Sequence, residues 1–318
     1  MSSMTRDQWL AERKKHLGGS DVAAILGLSP WRSPWQVWAD KQGHTDDQED
    51  TPQMRRGRLF EEPIAQMYAE DTGTIVQPHP DDLIIGPEEW MAASVDRLVV
   101  DAAGNTLHGL EIKTSRGYDG WGESGQTVTG LDAAGVMPPY YSTQCLWYMA
   151  VTGLSRWDMA VYFMGGDELR VYTVLRDEAV EAKLLELCRK WWQTHIVKGR
   201  EPEVDGSSEA ARYIVKKHPD DLLGVREPTP EEEAWAEELR EVSNKAKELE
   251  ARKKELSNRL GASVGDGKGL TGLGTWVRLA GRLSVDAKAL QAGFPDVYQQ
   301  VLKQGEPSGY FRLSARKG

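Results

Sequence analysis

Two β-rich stretches, Met91 to Val100 and Thr106 to Thr114, flank the turn-forming run Ala102-Ala103-Gly104-Asn105. Strand formers on both sides of a short glycine-containing turn fold as an antiparallel hairpin, and no other local pattern limits this chain as tightly. In a hairpin, positions equidistant from the turn face each other across the ladder. Asp96 and Glu111 lie at nearly equal distances from the middle of the turn. Side chains alternate along a strand, so Glu111 and Lys113 share one face while Ile112 points to the other. One hairpin therefore gathers two carboxylates and an ammonium group.

Around this hairpin the pattern alternates helices and strands. Helices are predicted at about Arg6 to His16, Asp21 to Leu26 with Ser20 as N-cap, from Ser33-Pro34 onward, Met54 to Asp71, Pro138-Pro139 to Thr152, and Asp177 to Val197. Strands are expected at Thr74 to Gln77 and Leu83 to Ile85. A second hairpin, Trp157 to Met164 with Leu169 to Leu175, turns at Gly165-Gly166-Asp167. The stretch from Gly117 to Val136 shows no period and reads as a loop. Trp31, Trp35 and Trp38 follow at helical spacing, which predicts core packing rather than base stacking. On the helix from Met54, Glu61 shares a face with Ile64, Ala65 and Tyr68. A carboxylate on an apolar face needs a partner, and an arginine or a metal ion would each serve.

Composition changes near Gly224. Thr229-Pro230-Glu231-Glu232 is a capping box, followed by Trp235, Leu239, Val242, Ala246, Leu249, Lys253, Leu256 and Leu260 at alternating spacings of four and three. This heptad seam suits packing within the chain and an oligomer interface equally. A glycine-rich connector, Gly261 to Gly274, leads to expected short elements at Trp276 to Leu279, Asp286 to Gln291 and Tyr310 to Leu313. The expected organisation is a mixed α/β domain over residues 1–225, then a long helix and a small αβ module over 226–318.

The acidic groups favour a hard divalent cation. Mg²⁺ takes octahedral oxygen coordination and keeps several waters. Asp96 and Glu111 offer two such oxygens, the backbone carbonyl of Ile112 a third, and Glu61 another, directly or through water. Lys113 can orient or deprotonate an attacking water and offset charge on a pentavalent phosphorus. Gln144, on one helix face with Tyr141 and Tyr148, can hydrogen-bond the water or a ligand. A net charge of -10 argues against a protein that coats nucleic acid indiscriminately, but it leaves room for a local basic groove. Apolar runs fall short of the roughly 20 residues that span a bilayer, and the first residues lack an apolar signal core. Cys145 and Cys188 sit in apolar helical patterns and read as buried thiols, which suits a cytoplasmic protein.

The fragments Gly57-Arg-Leu-Phe-Glu61, Ser94-Val-Asp96, Leu110-Glu-Ile-Lys113 and Tyr140-Tyr-Ser-Thr-Gln144, with the run from Gly18-Gly-Ser-Asp to Ser29-Pro-Trp31, resemble the YqaJ-like viral recombinase family. These are phage-type exonucleases related to bacteriophage lambda exonuclease, in the PD-(D/E)xK nuclease superfamily. The resemblance runs roughly from Arg13 to Trp192. It implies a mixed sheet flanked by helices, one- or two-metal catalysis by Mg²⁺ with Mn²⁺ as a substitute, and 5′-to-3′ digestion of one strand of linear double-stranded DNA. Glu61, Asp96, Glu111 and Lys113 fall on the family's catalytic positions, and Gln144 on the first glutamine of its helix motif. Arg13 and Ser20 fall on positions that grip the 5′ phosphate in relatives. The resemblance also implies 3′ tails passed to a single-strand annealing recombinase, and a homo-oligomer. Two positions depart from the family pattern: Val95 where proline is frequent, and Leu146 where a second glutamine is frequent. An endonuclease on the same fold and a non-catalytic DNA-end-binding scaffold are the competing readings. Cutting of closed circular DNA would favour the first, and activity surviving Lys113→Ala the second.

Overall fold

Strong caps make the N-terminal region helical. The computed structural model describes residues 4–45, 51–218, 224–281, 283–303, 305 and 308–314. Thr5 and Gln8 close a capping box on α1 (Arg6–Lys14). The next helix, α2 (Gly19–Ile25), departs from expectation, because its N-cap is Gly18 and Ser20 lies inside it. Asp21 does the capping, with its Oδ2 accepting the Gly18 N–H at 3.0 Å. Asp21 is fully buried between Arg32 at 2.5 Å and Lys41 at 2.7 Å. Burial alone would push its carboxyl up, but the Lys41 and Arg32 charges overcome this and hold it well below the usual carboxylate range. Ser33 and Gln36 then box α3 (Pro34–Lys41), with proline at the first helical position. Trp35 and Trp38 are buried as expected, but Trp31 is 66% exposed. It precedes α3, so helical spacing does not apply to it.

The helix α4 (Pro52–Thr72) leads into the strands β1 (Ile75–Gln77), β2 (Ile84–Ile85), β3 (Ala92–Ala93), β4 (Arg97–Val100), β5 (Thr106–Ser115) and β6 (Thr127–Thr129). The long strand expected from Met91 is broken at Ser94-Val95-Asp96. There Ser94 Oγ accepts from Trp9 Nε1 at 3.0 Å and donates to the Asp82 carbonyl at 3.0 Å. The β4–β5 hairpin forms with Arg97 opposite Leu110, so Asp96 comes next to Glu111 one step beyond the ladder. Its turn is held by Asp101, which accepts from the Ala103 and Asn105 N–H groups, and by Gly104 at φ 85°.

After α5 (Pro139–Thr152), β7 (Arg156–Phe163) returns parallel to β5 and turns into β8 (Glu168–Leu175). The parallel pairing needs a long crossover, and α5 supplies it. The sheet runs β1-β4-β5-β7-β8-β6. The expected loop before α5 thus contains an edge strand, β6, which pairs with β8. On one face, Leu110, Ile112 and Val99 pack with Ile64, Ala65 and Tyr68 of α4. On the other, α5 lies with α2, α3 and α6 (Glu178–Trp192) in the larger core. Ile112 therefore anchors β5 to α4, while Glu111 and Lys113 face the α5 side.

Contacts divide the chain between Tyr213 and Ile214, inside α7 (Ser208–Lys217). Beyond it, the capping box of Thr229 and Glu232 opens α8 (Pro230–Ser263) as expected. Trp235, Leu239, Val242, Leu249, Leu256 and Leu260 of its heptad seam are exposed. A small hairpin of β9 (Gly269–Leu270) and β10 (Gly274–Thr275) follows, then α9 (Ala287–Gly293) and α10 (Pro295–Val301). The expected strand at Tyr310 to Leu313 does not form, and Trp276 to Leu279 forms no regular element. These residues pair with no strand and remain largely exposed, and an isolated extended segment has no ladder to hold it.

Candidate active site

A cleft of about 430 Å³ opens where β5 meets the helices α1, α2, α4 and α5. Arg13, Ser20, Glu61, Asp96, Glu111, Ile112, Lys113 and Gln144 all line it. The sequence separated these residues by up to half the domain, and the fold brings them around one space.

The hairpin sets the centre. Asp96 Oδ2 accepts the Ile112 N–H at 2.8 Å, which locks the aspartate beside β5. Glu111, 1% exposed, accepts at Oε1 from Lys113 Nζ and from Gln144 Nε2, the latter at 2.8 Å. Gln144 Nε2 also donates to the Tyr148 hydroxyl at 2.6 Å. Glu111 Oε2 is buried and has no hydrogen-bond partner among the described residues. The Asp96 and Glu111 carboxyls lie within hydrogen-bonding reach of each other, and burial first, then the Asp96 charge, push the Glu111 carboxyl up. Burial opposes the charged form of Lys113, but the Glu111 and Asp96 charges win and hold its ammonium well above the ordinary range. Lys113 Nζ also sits 5.5 Å from the centre of the Tyr141 ring.

Glu61 enters from α4. Burial first, then Asp96, raise its carboxyl to about 6, against the charges of Arg97, Lys113 and Arg58. Among the described residues, no three His, Cys, Asp or Glu side chains converge tightly enough to cage an ion. Asp96 and Glu111 are the acids already in contact. Two close carboxylates with an unpaired buried oxygen, beside a single ammonium, nevertheless suit a hard cation that takes its remaining ligands from water and phosphate.

At the other end of the cleft, Arg13 Nη2 donates to Ser20 Oγ at 2.8 Å, and the guanidinium lies 5.2 Å from the Trp9 ring centre. Lys41 Nζ donates to the Arg13 carbonyl at 3.0 Å, which ties α1 to α3 and the buried Asp21. Gly19 lets α2 lie directly on α5. A Cβ there would stand 2.9 Å from Gln144 Cγ and 2.9 Å from Tyr148 Cε1.

Residues 8–155 match the model of the YqaJ-like viral recombinase domain, a span that contains every residue named for the cleft. Over these residues the chain is similar to the YqaJ-like viral recombinase domain. The chain is 28% identical over 316 residues to the uncharacterized protein YqaJ of Bacillus subtilis (strain 168), covering 95% of this chain and 92% of that protein. Among solved structures, it is similar to the alkaline exonuclease LHK-Exo of Laribacter hongkongensis, at 22% identity and a TM-score of 0.47 over 60% of this chain and 93% of that one. It is also similar to a phage-related exonuclease of Haemophilus somnus 129PT, at 11% identity and a TM-score of 0.41 over 60% of this chain and 100% of that one.

Within the matched residues, sequence reasoning gave Tyr148 and Trp9 no role. Tyr148 was visible only as a neighbour of Gln144 on one helix face. Its hydroxyl accepts from Gln144 one turn earlier on α5, and the reach of that same amide to Glu111 is the tertiary fact. Trp9 carries no sequence signal beyond helical spacing to Arg13.

Proposed function

We propose that this chain is a Mg²⁺-dependent exonuclease, with Mn²⁺ as a substitute, that digests one strand of linear double-stranded DNA from 5′ to 3′. The observation that carries the reading is the contact between Asp96 and Glu111 at the end of the β4–β5 hairpin, with Lys113 on the same face and Glu111 Oε2 unpaired. The ion would be held by Asp96, Glu111, the Ile112 carbonyl and Glu61, with water and phosphate oxygens completing the shell. When bound, it supplies Lewis acidity toward the scissile phosphodiester and toward the attacking water.

The chain's own groups do the rest. Lys113, held as an ammonium by two acids, donates to the water and offsets negative charge that grows on phosphorus. Gln144 and Tyr148 keep the Glu111 carboxylate turned toward the cleft. Arg13 and Ser20, already joined, give a cation and a hydroxyl for a terminal 5′ phosphate.

The nuclease domain is assigned to residues 1–225 and an accessory region to 226–318. The exposed seam of α8 supports a homo-oligomer. A product with 3′ single-stranded tails suits an annealing recombinase as partner, in keeping with the match of residues 8–155 to a viral recombinase domain model. Among the described residues no helix is long and apolar enough to cross a membrane, and the proposed location is the cytoplasm of a bacterial host cell.

The test is digestion of linear duplex labelled at the 5′ or the 3′ end, with Mg²⁺ or EDTA. The reading expects early release of the 5′ label, only with the cation. Early release of the 3′ label would reverse the polarity, and nicking of closed circles would replace the exonuclease with an endonuclease.

A further inference from the structure

The loop joining α2 to α3 holds a tryptophan out in solvent. Trp31 is 66% exposed, so a ring able to bury 150–250 Å² finds little cover within its own chain. Looseness of the loop does not explain this, because the loop is braced on both sides. The Leu28 and Ser29 N–H groups both donate to the Ala23 carbonyl, at 2.9 and 3.2 Å. Ser29 Oγ accepts the N–H groups of Trp31 and Arg32, at 3.3 and 3.2 Å. Arg32 is clamped between Asp21 at 2.5 Å and Asp40 at 2.6 Å.

The exposed ring is also linked to the site through two tyrosines. It stands edge-on to Tyr140, with centroids 4.7 Å apart, and 6.5 Å from Tyr141. Tyr141 is the ring that lies 5.5 Å from Lys113 Nζ. These steps span only a few nucleotides at roughly 3.4 Å per residue of one strand. An enzyme that digests one strand of a duplex must unpair bases beside the scissile phosphate. A rigid indole with a free face is the group that holds an unpaired base of any sequence, since every base has a π-face.

We propose that Trp31 is a stacking platform for an unpaired base within a few nucleotides of the scissile phosphate. This rests on the nuclease reading above. Tyr140 supports the indole from the protein side, and the open face receives the base. Preorganisation by Arg32 and Ser29 removes the entropy cost of ordering the ring at the moment of binding.

The test is a cycle on the full-length chain that crosses Trp31→Ala with an abasic nucleotide placed in turn at each of the terminal positions of the digested strand. Affinity is read by anisotropy in EDTA and digestion rate in Mg²⁺. Trp31→Ala is expected to weaken affinity for intact ends on the order of 5- to 150-fold, the scale of one lost base stack. At one position the abasic nucleotide should abolish that difference, while Trp31→Phe keeps most of the wild-type affinity. A loss that is the same at every abasic position would show no base against the ring and would overturn the proposal. So would a Trp31→Ala protein of altered molar mass by light scattering, which would place the ring at a contact between copies. If the wild type binds ends but digests nothing with Mg²⁺, the nuclease reading fails, while the affinity cycle still decides on Trp31.

Discussion

Glu111→Gln is expected to make the ion-free protein more stable while abolishing turnover. In the wild type, two carboxylates share one ammonium, and Glu111 Oε2 has no hydrogen bond among the described residues. Glutamine has the same shape. Its carbonyl oxygen can still accept from Lys113 and Gln144, its amide can donate to Asp96, and one acid then faces one base. Relief of a buried unsatisfied group is worth about 1–3 kcal/mol, and a net gain near 1–2 kcal/mol corresponds to a rise of roughly 2–8 °C in Tm for a chain of this size. The sign depends on pH. Burial and Asp96 raise the Glu111 carboxyl in the folded state, so the folded wild type binds that proton more tightly than the unfolded chain does. Its relative stability is therefore fully present below the ordinary glutamate range and declines as pH rises through the shifted value. The variant lacks this group, so its advantage should be small near pH 5 and grow toward pH 8. The assay is thermal unfolding followed by circular dichroism across that range, in EDTA and in Mg²⁺. The cation should raise the wild-type Tm by mass action and leave the variant unmoved. A variant that melts below the wild type at pH 8 in EDTA, or that Mg²⁺ stabilises equally, would refute the reasoning.

Three further outcomes are expected. Asp96→Ala should lower turnover on linear duplex by about three decades or more as the ion's stabilisation is lost, and a rate near the parental value would exclude Asp96 as a ligand. Arg13→Ala should reduce the preference for 5′-phosphorylated over 5′-hydroxyl ends, measured by competition between the two substrates; an unchanged ratio removes the phosphate grip. Because the Glu61 carboxyl is raised to about 6, the Mg²⁺ needed for half-maximal rate should climb more steeply as pH falls below that value, by up to a further factor of roughly ten per unit for the proton displaced from Glu61 in addition to that from Glu111. Glu61→Gln should shallow that slope, and a slope identical in the variant would show that Glu61 does not take part.

The features legible in the sequence were those written in local pattern. The β4–β5 hairpin follows from two strand-forming runs and a glycine turn, and its register needed no distant partner. The helix start at Ser33-Pro34 and the capping box at Thr229 are likewise decided within four residues. The features that escaped depend on groups far along the chain. Ser20 lost the cap because Arg32 and Lys41 stabilise Asp21 in the competing position. The break before Asp96 is tied by Trp9, and β6 exists only because β8 offers it an edge. Trp31 shares its spacing with two core tryptophans yet precedes their helix, and periodicity cannot see that boundary. In the cleft, alternation along β5 put Glu111 and Lys113 on one face, but the approach of Glu61 from the opposite layer and the link from Gln144 to Glu111 are consequences of packing alone.

Gly19 has a bearing on how such a site would count. Without a side chain there, the helix carrying Ser20 lies flush on the helix carrying Gln144. The span from the Arg13–Ser20 pair to the Glu111 carboxylate is thus set by solid contact, with no hinge or loop between them. On the proposed reading it works as a fixed gauge: a terminal phosphate seated on Arg13 and Ser20 is held at a set distance from the acids.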